Sequence, residues 1–352
     1  MSWLESDQRY ISAQGQPTAV LDLCLQRGID SHRLLRGTGL FTEDILKDET
    51  LISPQQYIRL LDNAEQLLAS EDTAFQLGQR LLPGSQGAAS QLLTLTQNLQ
   101  QALQLLVTYK VLMSPVISPS FFIDQNFGYL YWRDNCGLGR RFRFILEANM
   151  VSIIAFSRRL YGEHLPWQLH FRHQKPRYVE QYWVHMGNNL EFGQPVDVMI
   201  IPRQFLTRCW QSLALTSYQI ALYRVDKLQC QLPAKEMFLD KVYTYLVECL
   251  KRPAGSKNIQ LESVSDYLQI SPATLKRKLR KHETHFQQQL DLARLHVALY
   301  FLSCKKMSNY EVSQRLHFND STSFRRAFKR WTGCTPNNLL ESLNDKLVPA
   351  TV

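Results

Sequence analysis

The sequence contains no C-x-x-C pair, and its seven cysteines are an odd number. These two facts argue against a disulfide framework and against a zinc ribbon, so reduced thiols in or near the cores are expected. No run of apolar residues is long enough to cross a bilayer, and the start lacks the order of a signal peptide. A cytoplasmic chain is expected. No Ser, His and Asp arrangement, paired carboxylates or metal-ligand spacing stands out, so no enzyme activity, cofactor or metal is expected.

Positive charge is concentrated toward the C-terminus. The formal net charge is +9, and residues 236–352 contain 18 Lys and Arg against 11 Asp and Glu. A basic region of this kind favours phosphate backbones through counterion release, which depends on salt and is blind to sequence. The last third of the chain is therefore the candidate for nucleic-acid binding.

One basic segment, residues 317–336, fits a helix with two different faces. The helical period of 3.6 residues places on one apolar stripe Phe324, Ala327, Phe328 and Trp331. The opposite face carries Thr322, Arg325, Arg326 and Lys329. Asp320 is a suitable N-cap, and Gly333 and Pro336 form a suitable stop. A DNA major groove accepts such a helix, although many ordinary surface helices are also amphipathic and basic.

An internal repeat favours the nucleic-acid interpretation. Residues 271–282 match the segment above at an offset of 49, and the matched pairs are Ser271 with Asp320, Leu275 with Phe324, Leu279 with Phe328, Ala273 with Thr322, Lys276 with Arg325, Arg277 with Arg326, and Arg280 with Lys329. Upstream, residues 264–270 match 312–318 at an offset of 48, and Asn319 is the extra residue. Each unit predicts a short helix, a tight turn and a second helix with a basic outer face. This pattern is a helix-turn-helix (HTH), and it occurs twice.

A helix is predicted between the two units. Residues 286–303 contain neither Pro nor Gly and are rich in strong helix formers. A helix of this length spans about 27 Å, which places the two basic helices on the order of one DNA turn, about 34 Å, apart. One chain could then contact two successive major-groove segments, so DNA binding does not require a dimer.

Residues 237–341 resemble the DNA-binding domain of the AraC/XylS transcription regulators. The matching residues of the first unit and the linking helix are Ser271, Leu275, Arg277, Arg294, Leu295, Ala298, Phe301 and Leu302. Those of the second unit are Phe318, Ser323, Phe324, Arg326, Ala327, Phe328, Lys329, Gly333 and Pro336. Gln269 and His317 stand where the family usually has Gly, so we expect strained or shifted turns with the same fold.

The outer faces of the two units, together with the resemblance, provide the candidates for DNA contact. Base edges are assigned to Ala273, Lys276, Arg277, Ser321, Thr322, Arg325 and Arg326, and phosphates to Arg280, Lys281, Lys329 and Arg330. For the four phosphate candidates, plain solvated charge is an equal alternative.

Residues 1–228 are enough for a domain with its own core. Apolar periodicity predicts helices at 18–28, 54–69, 88–112 and 142–161. Strands are predicted at 120–132, around an Asn-Phe-Gly turn, and at 167–173 and 197–202. The predicted fold is an α+β domain followed by an all-α domain with two HTH units joined by a long helix.

This first domain also resembles the effector domain of one AraC branch, the OruR-like or arabinose-binding-like type, over residues 20–210. The clearest stretch is residues 182–206, with Phe192, Gly193 and Pro195. The resemblance implies a small-molecule or protein signal that modulates binding to promoter DNA, and contact with RNA polymerase. It leaves room for a homodimer. Three arginines at a predicted helix start, Arg140, Arg141 and Arg143, are candidates for an anionic effector, with a solvated face or an interdomain ion pair as the alternatives.

The boundaries follow from these segments. We expect an effector-sensing domain at 1–228, a linker at 229–236 around Pro233, and a DNA-binding domain at 237–341, followed by a tail at 342–352. Within the DNA-binding domain the first HTH covers 261–282, the linking helix 286–303 and the second HTH 309–331. An alternative is an enzyme or sensor that its basic C-terminal module only tethers to nucleic acid.

Overall fold

A computed structural model describes residues 3–47, 50–84, 87–210, 214–252 and 259–339. The chain forms two compact units, Met1–Phe192 with Asp197–Phe238 (the first unit) and Gly193–Val196 with Leu239–Val352 (the second unit). The expected tail at 342–352 lies outside the described residues. Among the helices described, none is both long and apolar enough to span a membrane.

The first unit begins with a small two-stranded sheet and a set of helices. The elements are β1 (Ile11–Ser12), α1 (Gln16–Gln26), α2 (Ser31–Leu34), α3 (Thr42–Leu46), β2 (Leu51–Ile52), α4 (Pro54–Leu68), α5 (Thr73–Leu81), α6 (Gly87–Thr94), α7 (Leu99–Thr108) and α8 (Lys110–Met113). Ser53 caps α4 by accepting from Gln56 N, and Pro54 suits the first helical position because its missing N–H has no partner there in any case.

A five-stranded sheet and four more helices complete this unit. They are β3 (Ile117–Ile123), β4 (Phe127–Asp134), α9 (Phe142–Tyr161), β5 (Gln168–Phe171), α10 (Val179–Met186), β6 (Leu190–Phe192), β7 (Val198–Pro202), α11 (Arg203–Thr207) and α12 (Leu215–Gln231). The strand order is β3-β4-β7-β5-β6, with only the β5–β6 pair parallel. The first unit is therefore the α+β domain that the pattern predicts.

Helices α5 and α9 approach each other closely at Gly78. Gly78 on α5 permits this approach, because a Cβ at this position would lie 2.4 Å from the Ala148 carbonyl oxygen and 2.7 Å from Val151 Cβ. Val151 is fully buried at this contact, and Phe75 on α5 is fully buried as well. The close approach of the two helices thus depends on a residue without a side chain.

The single helix expected at 88–112 is wrong, because the chain forms α6, α7 and α8 there. Thr96 Oγ1 donates to the Leu93 carbonyl at 2.8 Å, and Asn98 caps α7 by accepting from Gln101 N at 3.0 Å. Such short polar side chains compete with the helical backbone pattern. The expected Asn-Phe-Gly turn also shifts, since Ile123 pairs with Gly128 and the turn is Asp124–Asn126.

Two of the seven free cysteines, Cys209 and Cys230, are exposed.

The described part of the second unit is all-α. Its helices are α13 (Phe238–Lys251), α14 (Leu261–Leu268), α15 (Pro272–Lys281), α16 (Phe286–Ser303), α17 (Asn309–Arg315) and α18 (Ser321–Thr332). The linking helix has the predicted ends. The first helix of each HTH, α14 and α17, lies where the repeat predicts it. Tyr243 on α13 hydrogen-bonds His296 on α16 at 2.8 Å, which ties the opening helix to the linking helix. Helix α12 extends to Gln231, so its last turn overlaps the expected linker.

Candidate nucleic-acid interface

The two basic helices of the second unit begin at polar caps. Ser271 Oγ accepts from Thr274 N at 3.1 Å at the start of α15, and Asp320 Oδ1 accepts from Ser323 N at 2.6 Å at the start of α18. Each cap satisfies an amide that the first turn leaves free. At the other end of α18, Gly333 has φ +79° and its N–H donates to the Lys329 carbonyl. The cap and stop signals predicted from the sequence are therefore confirmed.

Most apolar positions of the repeat are buried in both HTHs, whereas Ile270, Phe318 and Trp331 are half-buried. Leu275 and Leu279 on α15 are buried, as are Phe324 and Phe328 on α18. The paired positions in the first helices are buried too, namely Val264, Leu268, Val312 and Leu316. Each basic helix is thus held to its unit by one face, which leaves the other face free for a ligand.

The two turns have the same hydrogen-bond pattern. Ile270 N donates to the Ser265 carbonyl at 3.1 Å, and Phe318 N donates to the Ser313 carbonyl at 2.9 Å. The residue before each donor is left-handed, with φ +55° at Gln269 and +59° at His317. Both side chains therefore stand in the conformation for which glycine is usual. The fold expected around these residues is present, and the strain of the two turns stays a prediction that a glycine substitution can test.

Phe318, which follows the second turn, fixes α18 to the linking helix. Its ring lies 5.7 Å from Phe324 and 6.0 Å from Trp331 on α18, measured between centroids. The guanidinium carbon of Arg294 on α16 lies 4.9 Å from the Phe318 centroid, within cation–π range. Burial lowers the pKa of Arg294 below its ordinary value, while the Asp291 charge opposes this. Arg294 therefore acts mainly within the protein.

The candidate DNA-contacting residues lie on the outer faces of α15 and α18. Six of the seven base-edge candidates are exposed, namely Ala273, Lys276, Arg277, Thr322, Arg325 and Arg326. Ser321, the seventh, is half-buried at the first position of α18. All four phosphate candidates, Arg280, Lys281, Lys329 and Arg330, are exposed. Arg330 also forms an ion pair with Asp291, with Nη2 3.3 Å from Oδ2, so the Asp291 carboxylate partly neutralises its charge.

The three arginines proposed for an anionic effector have different surroundings in the first unit. Arg140 is exposed, and Arg141 Nε pairs with Asp62 at 2.5 Å. Arg143 Nε pairs with Glu147 at 2.6 Å and joins a half-buried polar cluster with Tyr182. The spacing of four between Arg143 and Glu147 indicates such a pair. Tyr182 and its neighbours come from distant parts of the chain, so no local pattern could identify them.

Two helix-turn-helix units with exposed basic faces, following an α+β unit, define a DNA-binding regulator. A family model described as the arabinose-binding N-terminal domain of AraC transcription regulators matches residues 28–209. A second, described as a helix-turn-helix domain, matches residues 264–342. The chain belongs to the AraC family and is a helix-turn-helix transcriptional regulator with an N-terminal domain of the arabinose-binding type.

Two relatives found by sequence are also regulators. The ornithine utilization regulator of Pseudomonas aeruginosa is 28% identical over 331 residues, which cover 92% of this chain and 94% of that protein. An HTH-type transcriptional regulator of Mycobacterium tuberculosis is 36% identical over 74 residues, 21% of this chain and 22% of that protein. The crystal structure of the transcriptional regulator CdpR from Pseudomonas aeruginosa aligns over 93% of this chain and 98% of its own, at 18% identity and a TM-score of 0.39.

Proposed function

We propose that this regulator reads two successive major-groove segments of one operator, with α15 in one and α18 in the next. The observation that carries the proposal is the repeated exposed face, with Lys276 and Arg277 on α15 matched by Arg325 and Arg326 on α18. Arginine or lysine facing O6 and N7 of guanine is the commonest specific contact in the major groove. The linking helix of 18 residues is about 27 Å long, a separation of the order of one DNA turn.

Base reading and phosphate binding can be separated by substitution. We expect Arg326→Ala to cost about 1–3 kcal/mol on the best operator and to relax base preference at one position. Arg277→Ala, at the matched position of the first HTH, should do the same one DNA turn away. Arg280→Ala should instead weaken binding to all sequences alike.

The measurement is selection of bound sequences from a random DNA pool, followed by anisotropy on the selected operator and on scrambled DNA. Preferences lost at two positions about ten base pairs apart, one for each arginine, would support the proposal. Equal losses on operator and scrambled DNA for all three variants would contradict it.

The same proposal includes a signal and partners. A relative that matches 92% of this chain is named for ornithine utilization, so L-ornithine is the first candidate for a small-molecule effector of residues 1–228. We also propose contact with RNA polymerase at the promoter, and one chain per operator, because a single chain contains both basic helices. Sedimentation of the protein–operator complex tests this stoichiometry, and a mass of two chains per operator would establish a homodimer instead.

A further inference from the structure

The first unit contains a half-buried cluster of charged groups and aromatic rings near α9. Arg143 Nε donates to Glu147 Oε1 at 2.6 Å, and Arg143 Nη2 donates to the hydroxyls of Tyr178 at 3.0 Å and Tyr182 at 2.8 Å. The Tyr182 hydroxyl donates in turn to Glu147 Oε1. The guanidinium carbon of Arg143 lies 5.6 Å from the Tyr178 ring centroid. Asp197, just before β7, accepts from the backbone N–H of Arg172 at 2.8 Å. The next residue, His173, has its Nε2 3.3 Å from the Tyr182 hydroxyl, which joins Asp197 to the cluster.

Each charged group of the cluster keeps one atom outside these bonds. Among the hydrogen bonds of the described residues, Arg143 Nη1 and Glu147 Oε2 take part in none. Asp197 accepts only at Oδ1, from the Arg172 backbone N–H at 2.8 Å. The cluster thus offers donor atoms of a cation and acceptor atoms of two carboxylates.

Aromatic rings surround these charges, and part of the cluster reaches the surface. The Phe192 ring centroid lies 5.4 Å from that of His173 and 5.3 Å from that of Tyr182. The Arg143 side chain is 36% exposed, whereas that of Glu147 is 4% exposed. Phe192 and Tyr178 are half-buried beside them. The Arg143 guanidinium and the rings of Tyr178 and Phe192 are thus the more exposed groups of the cluster, and the Glu147 carboxylate is the more buried one.

The pKa shifts agree with buried carboxylates whose charges have too few favourable partners. Burial raises the pKa of Glu147, although Tyr182 and Arg143 oppose the shift, and burial likewise raises the pKa of Asp197. Burial lowers the pKa of His173, so its ring is neutral near pH 7, and Nδ1 faces the Gln174 carbonyl. The exposed Arg172 side chain is the other cation that acts on Asp197.

The cluster contains one positive group, Arg143, and two acidic groups, Glu147 and Asp197, and this combination determines which ligand fits. A simple anion at Arg143 would meet the Glu147 and Asp197 carboxylates, and a simple cation at those carboxylates would meet Arg143. A molecule with both a carboxylate and an ammonium group can satisfy each charge with its opposite. Its side chain would then pack on ring faces, which also favour a nearby cation.

We infer that Arg143, Glu147 and Asp197, with the rings of Tyr178 and Phe192, form the effector site and bind a small zwitterion of the amino-acid class. This assignment rests on the proposed sensing role of residues 1–228. Arg143 binds the ligand carboxylate, and the two acidic groups bind its ammonium. Arg141, another candidate from the sequence, forms an ion pair with Asp62 and is not assigned to the site.

The test uses the full chain and defined probes. Isothermal titration with L-ornithine and the twenty standard L-amino acids identifies a binding zwitterion, and each hit is compared with its decarboxylated amine and its deaminated acid. We expect both truncated analogues to bind about tenfold or more weakly, because each loses one charge-assisted contact. Absence of binding by every zwitterion would overturn the inference, as would equal binding of either analogue.

Two variants and a matched control locate the site. Asp197→Asn keeps the acceptor for Arg172 N and removes the charge, and Arg143→Lys keeps the charge and removes the planar fork. Each substitution should lower the affinity for the zwitterion by about tenfold or more. Arg141→Lys changes an ion pair of similar exposure and should leave affinity within about twofold. Circular dichroism checks folding, and Asp197→Asn with the analogue series decides the matter if Arg143→Lys is misfolded.

Unchanged affinity in both Asp197→Asn and Arg143→Lys would show that the cluster only supports the fold. Sequence-specific operator binding, measured both without ligand and with each amino acid, tests the proposed function separately. Its absence under every condition would contradict the proposed reading of an operator, whereas operator binding in a protein that binds no zwitterion would contradict the effector site alone.

Discussion

Gln269 and His317 have left-handed backbones that glycine adopts at lower cost. Their φ angles are +55° and +59°, and a left-handed residue with a Cβ costs roughly 1–2 kcal/mol. Replacing either residue by glycine removes this cost. Part of the stability gained is lost again, because glycine gives the unfolded chain more conformational freedom. We expect Gln269→Gly and His317→Gly each to raise the free energy of unfolding of the second unit by about 0.5–1 kcal/mol, measured by urea denaturation.

Glu248→Gly is the matched control for these two substitutions. Glu248 is exposed within the right-handed helix α13, where glycine should cost about 1 kcal/mol relative to a good helix former. A loss of stability in all three variants would show that the two turns are not strained in solution.

Asp320 makes the start of α18 sensitive to acid. Hydrogen bonds from the Ser323 backbone N–H and hydroxyl hold the pKa of this carboxyl below its ordinary value. A lowered folded-state pKa stabilises the fold fully above the unfolded pKa of about 3.9, and this contribution is lost as the pH falls through the folded value. Asp320→Asn retains a capping oxygen without the titration.

We therefore expect the stability advantage of wild type over Asp320→Asn to be constant from pH 5 to neutrality and to shrink below about pH 4. Urea unfolding of both proteins across that range measures the difference, in which the other acidic groups cancel. A difference that stays constant at low pH would mean that the carboxylate does not cap the helix as a charged acceptor.

At the scale of elements, the contact of α5 with α9 should be the least tolerant of added volume. A Cβ at Gly78 would approach the Ala148 carbonyl oxygen to 2.4 Å, so the two helices must separate. We expect Gly78→Ala to destabilise the first unit by about 1–3 kcal/mol, as overpacked cores do. In Gly15→Ala, the control, the added Cβ would lie 3.3 Å from the Ser12 carbonyl oxygen and need a shift of only tenths of an ångström.

Thermal unfolding of the two variants compares these sites. A similar effect of both substitutions would show that the helices at Gly78 can move apart without cost.

Elements with strong local signals could be predicted, and those that depend on distant contacts could not. Helix α16 has its predicted ends, because residues 286–303 contain no breaker and His285 accepts from Gln288 N at 3.0 Å. The 88–112 prediction failed because apolar periodicity ignores the hydrogen bonds of Thr96 and Asn98. Likewise, Arg143 was recognisable as a charged candidate. Its partner Tyr182 lies 39 positions away, where only the fold brings them together.

At the scale of the whole molecule, both HTH units should contribute to the salt dependence of DNA binding. Arg280 and Lys329 occupy matched positions, and both are exposed. Each phosphate contact steepens the plot of log affinity against log salt concentration by about 0.9. We expect Arg280→Ala and Lys329→Ala each to reduce the slope by about one, and the double variant by about two. Arg33→Ala, an exposed arginine of the first unit, should leave the slope unchanged.

Anisotropy titrations on one operator between low and physiological salt provide these slopes. A change in only one of the two variants would mean that a single HTH unit contacts DNA, and an equal change in Arg33→Ala would mean that the effect is one of overall charge. Additive changes would instead require both basic faces to lie on the same duplex at once. A single chain can meet that requirement only if the linking helix holds α15 and α18 one DNA turn apart.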